Sequence, residues 1–122
     1  MNEQDFLNNA IEAHDSSATI YWLFEMLFKS VKQRLIESGC QTSSHFETRT
    51  AGLDLLLKHY VITEKEADLY MKLWNMYILS EYANLQYAWE EVSCIISPVE
   101  MVCNRLRIEK KISNRLDQVT SI

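Results

Sequence analysis

EKEADLYMKLWNMYILSEYANLQYAWEEV, residues 64–92, contains neither glycine nor proline and reads as one uninterrupted helix. Tyr70, Trp74 and Tyr77 follow the i, i+4, i+7 spacing of a single helical face, while Tyr82, Tyr87 and Trp89 spread aromatic surface onto other faces. At about 1.5 Å per residue such a helix is roughly 43 Å long, the length of a small bundle. It needs cover from neighbours on more than one side. Thr63 followed by Glu66 gives it a capping box, in which each side chain satisfies an amide of the first turn. The part through Tyr77 reads as core.

The whole chain of 122 residues, 48% of them hydrophobic, is enough for one domain, 1–122, with a real core. Two Gly and one Pro leave little material for the tight turns of a β fold, so the class is all-α. A net charge of −5 excludes a protein that coats nucleic acid or anionic membrane over its entire surface, but not a local basic patch. The first nine residues carry Glu3 and Asp5 with no basic cluster, unlike a secretory signal. The longest apolar run, Ile20 to Phe24, is far short of the roughly 20 residues that span a bilayer. The expectation is a soluble, cytoplasmic protein with no membrane partner. Cys40, Cys94 and Cys103 are odd in number and lack Cys-x-x-Cys spacing, which points to reduced, mostly buried residues.

Residues 3–13 form a short amphipathic segment with Phe6, Leu7, Ala10 and Ile11 on one side. Asp15, Ser16 and Ser17 supply capping oxygens for a second helix to about Ser38, apolar from Ile20 to Phe28 at every position but Glu25. Further along that helix Val31, Leu35 and Ile36 are expected to face inward. Gly39 suits the helix end, and Ser44 with Glu47 opens a third, leucine-rich helix to about His59. Ser97, Pro98 and Glu100 place the start of a last helix at Pro98, running to about Leu116 with Val99, Val102, Leu106 and Ile112 or Leu116 inward. The expected fold is an antiparallel up-and-down bundle of four main helices plus a short N-terminal helix.

Chemistry is sparsely marked. Cys40 and His45 lack a second ligand pair, Gly39 and Gly52 are isolated, and so neither a metal site nor a phosphate loop nor any cofactor is indicated. Glu25, on the most apolar helix, either reaches the rim or meets a partner. From Asn104 to Leu116 five cations face Glu109 alone, an excess of four that leaves −9 on the rest of the chain. Arg107, Lys111 and Arg115 form a stripe at i, i+4, i+8 that suits either phosphate contacts or a solvated face.

Residues from about Ala18 to Leu85 resemble the HEPN family of small helical bundles. The similarity lies in the aromatic-rich run Ile20 to Lys29, the segment Leu35-Ile36-Glu37-Ser38-Gly39, the opening at Ser44-His45, the leucine-rich third helix, and the region around Ala83 and Asn84. The resemblance implies a helical bundle and a dimer built on the late helix. Members with ribonuclease activity carry an Arg followed five to seven residues later by His, and two subunits complete the site. No such pair exists here, and Ser80 takes the place of the Arg. The groups that would hold a phosphate and move a proton are therefore missing.

The leading expectation is a non-catalytic bundle acting through protein association as a homodimer, with Tyr82, Tyr87 and Trp89 at the interface. A divergent endoribonuclease using Glu25, His45, Ser80 or Asn84 is the enzymatic alternative. Nucleic-acid binding through Arg107, Lys111 and Arg115 is the third.

Overall fold

The computed structural model describes residues 2–37 and 61–120, with side chains through position 107. These form four helices, α1 (Glu3–Glu12), α2 (Ser16–Glu37), α3 (Glu64–Tyr82) and α4 (Trp89–Thr120), and no strand occurs among them. The chain is all-α. The third helix expected from Ser44 to His59 lies outside the described residues.

A capping box opens α1: the Asn2 side chain accepts from the Asp5 amide at 3.0 Å and Asp5 accepts from the Asn2 amide at 3.1 Å. Its end is equally specific. His14 takes a left-handed φ of 51°, which lets the Asp15 amide donate to the Ala10 carbonyl at 2.9 Å and the His14 amide to Ile11 at 3.0 Å. Asp15 is thereby aimed at the next helix, where its carboxylate accepts from the Ala18 amide at 3.1 Å.

α2 is the centre of the fold and packs against each of the other three helices. Ile20, Leu23, Phe24, Leu27, Val31 and Leu35 are buried, and Tyr21, Trp22, Met26 and Phe28 are half-buried around them. A helix with that much apolar circumference is stable only when surrounded. Ile36, expected to face inward, is instead 48% exposed, because Leu35 takes the last inward position of this face.

Phe24 is the hub of an aromatic cluster. Its ring centroid lies 5.6 Å from Tyr70, 5.2 Å from Trp74 and 4.9 Å from Tyr77, the three aromatics spaced along one face of α3. Tyr77 also meets Tyr21, and Ser80 meets Ser17. The α3 cap is the Thr63–Glu66 box, with bonds of 2.8 and 3.2 Å.

Two boundaries differ from expectation. The helix starting at Glu64 does not run to Val92. It stops at Tyr82, where Asn84 adopts φ 54° and the amides of Ala83 and Leu85 both donate to the Leu79 carbonyl. Asparagine is among the few non-glycine residues that tolerate this conformation. The break is a tertiary effect. Turning back brings Val92, Ile95 and Val99 onto the core, burial that local helix propensity does not encode.

The last helix accordingly begins at Trp89, nine residues before Pro98. Ala88 caps it with its carbonyl, and Glu91 reaches back to accept from the Ala88 amide at 3.0 Å. An interior proline costs about 3 kcal/mol through its missing amide. Burying Val92 and Ile95 returns roughly 1.5–3 kcal/mol each, which offsets it. Pro98 and Cys94, the residue whose carbonyl loses its donor, are both exposed, so water can serve that carbonyl.

Candidate functional site

The end of α3 carries the most unusual surface among the described residues. Leu79 and Tyr82 lie one turn apart on the same face, 40% and 79% exposed. Leu85, 45% exposed, is drawn back beside them by its amide bond to Leu79. Three large apolar residues are thus exposed within seven positions where the chain reverses. Of the expected interface aromatics, Tyr82 is the one fully presented. Tyr87 is half-buried beside Lys72, Met76 and Cys94 in a cleft of about 530 Å³. Trp89 is half-buried under His14, whose ring stacks on it at 4.6 Å and 7°.

The residues considered for catalysis do not form one group. Ser80 is within 3.3 Å of Ser17, at the start of α2. Glu25 stands half-buried eight residues further along α2, about 12 Å away by helical rise. Asn84 is exposed and serves the reversal of the backbone. His45 lies outside the described residues. Among the described residues no group of His, Cys, Asp and Glu is arranged to hold a metal ion.

The basic stripe is likewise divided. Arg107 is exposed and donates to the Asn104 side chain, while the side chains of Lys111 and Arg115 lie outside the described ones. Beneath Arg107 a cavity of about 380 Å³ opens between α1, α2 and α4. Lys29 and Arg107 share it with Glu3 and Glu100, and Lys29 pairs with Glu3. Its floor includes Cys103, whose thiol burial pushes up against a weaker opposing hydrogen bond with Ser30. A raised thiol is a poor nucleophile at neutral pH.

Arg105, part of the basic excess in the sequence, is half-buried and pairs within the fold. It donates to both Glu66 oxygens, at 2.7 and 2.6 Å, and to the Val61 carbonyl at 3.0 Å. Burial alone would raise the Glu66 carboxyl, but the hydrogen bonds and charge of Arg105 and the bond from the Thr63 amide hold it below its ordinary range. The signal for this was present in Glu66 as a capping residue. Its partner on α4, 39 positions later, was not visible.

No known protein family, curated protein or solved structure matches this chain. No helix among the described residues is long and apolar enough to cross a membrane.

Proposed function

We propose that this chain is a non-catalytic, HEPN-like bundle that works by associating with a second copy of itself through the surface around Tyr82. The single observation that carries the reading is the exposed group of Leu79, Tyr82 and Leu85. Contiguous exposed apolar groups of this kind mark association sites, and a patch at the end of one helix can meet its own copy across a two-fold axis. The resemblance drawn from the sequence implies a dimer in the same part of the chain. The order of contacts, Ser80 with Ser17, Tyr77 with Tyr21 and Tyr70 with Phe24, runs α2 and α3 antiparallel to each other, whereas an up-and-down bundle with a further helix between them would set these two parallel.

Sedimentation of Tyr82→Lys against the unaltered protein tests this reading. The expected result is at least a tenfold weaker dimer with an unchanged monomer fold, as a charge replaces a buried aromatic. An unaltered dimer constant would remove Tyr82 from the interface. Incubation with mixed RNA separates the enzymatic alternative: no cleavage is expected, and cleavage that disappears in His45→Ala would overturn the non-catalytic reading.

A further inference from the structure

We infer that the dimer forms by exchange of α4, with α3, positions 83–88 and α4 joined into one continuous helix; this rests on the homodimer proposed above and specifies how it is built. Ile78, Tyr82, Leu85, Trp89, Val92, Ile96, Val99, Cys103 and Leu106 follow an unbroken alternation of four and three residues. That is the seam of a packed long helix, and it passes through the reversal as though the reversal were absent. Within one chain the seam is only partly used. Val92, Val99, Cys103 and Leu106 are buried, Ile78, Trp89 and Ile96 are half-buried, and Tyr82 and Leu85 are left exposed.

The linker is built to allow both forms. Positions 83–88 contain no glycine or proline, so nothing in them forbids a helix. What holds the reversal is Asn84 at φ 54° together with the two amides on the Leu79 carbonyl. A left-handed non-glycine residue is a modest cost, which the continuous helix removes. In the exchanged form the α4 of one copy occupies the same bed on α2 of the other, with Arg105 reaching Glu66 on its α3. The core contacts and the Glu66–Arg105 pair are re-formed between copies. The gain is confined to the crossing point, where Tyr82 and Leu85 of both copies cover one another. Exchange of an identical element between copies is a low-cost route to a dimer.

The Glu66–Arg105 pair supplies a test that a surface dimer cannot imitate. Glu66→Arg places two arginines together within a chain, and Arg105→Glu places two glutamates together. If α4 is exchanged, a mixed dimer of the two variants restores both pairs, because each position 66 meets the other chain's position 105. The two proteins are unfolded in urea, mixed and refolded together. The expected product is a heterodimer with melting restored towards that of the unaltered protein, even where neither variant folds alone. A mixture that behaves as the sum of the two separate refoldings would overturn the exchange. Dimer constants of Asn84→Ala and Asn84→Gly give the second arm. Alanine favours the helix and glycine the left-handed turn, so the exchanged dimer should be tighter in the alanine variant by roughly twentyfold per chain. Equal constants with a dimer still present would overturn the exchange and leave the homodimer standing. A monomer throughout the series and in the unaltered protein would overturn both.

Discussion

The Arg105 guanidinium meets the Glu66 carboxylate at 2.6 and 2.7 Å, so a side chain on α4 grips the first turn of α3. Both residues are largely covered, and Glu66 also closes the capping box with Thr63. Removing Arg105 leaves that carboxylate and the Val61 carbonyl without their shared donor. Arg105→Ala should therefore destabilise the fold by about 2 kcal/mol, read as a lower urea midpoint.

The same pair sets a pH dependence. Glu66 is held below its ordinary value of 4.5, so its contribution is fully present above that value and is lost as pH falls through the lowered folded one. Unfolding between pH 7 and pH 3 should show this loss, and Arg105→Ala should flatten it. An identical slope in the variant would mean that other carboxylates dominate acid unfolding.

Thr19 is completely buried and its hydroxyl has no hydrogen-bond partner among the described residues. Thr19→Val keeps the shape and removes the unsatisfied oxygen, which should stabilise the fold by about 1 kcal/mol. The melting temperature checks it. A clear fall would indicate that the hydroxyl is in fact bonded.

The aromatic hub predicts a steep penalty. Phe24 is fully buried between Tyr70, Trp74 and Tyr77, so Phe24→Ala should cost about 3–5 kcal/mol. Ile36→Ala, at an exposed position one residue beyond the last buried leucine, should cost under about 0.5 kcal/mol. Paired denaturation curves distinguish them.

The cysteines separate by exposure. In a Cys40→Ser background, Cys94 is exposed and Cys103 is buried with a raised thiol. A thiol reagent at neutral pH should label Cys94 quickly and Cys103 only as the protein unfolds. The spacing of the three cysteines points to mostly buried residues; Cys94 departs from this because it lies on the outward face of α4, its thiol turned to the Glu91 carbonyl.

Much of the fold was legible because it rests on local chemistry. Thr63 and Glu66 cap as their spacing requires, and Tyr70, Trp74 and Tyr77 reach one neighbour because helical periodicity puts them on one face. The reversal after Tyr82 was not legible, since residues 83–88 carry no breaker and only packing of α4 on α2 decides the turn. Pro98 misled for the same reason. It looks like a start signal, and the burial of Val92 and Ile95 ahead of it outweighed that signal. The candidate surface was half legible. Tyr82 stood out as surplus aromatic, but Leu79 and Leu85 joined it only through a backbone reversal that no spacing encodes.

Light scattering coupled to gel filtration, on the unaltered protein at tens of micromolar, addresses association through the Tyr82 surface most directly. The expected result is a species of twice the 14.3 kDa chain mass that shifts to the monomer in Tyr82→Lys. A monomer at every concentration in that range would contradict it.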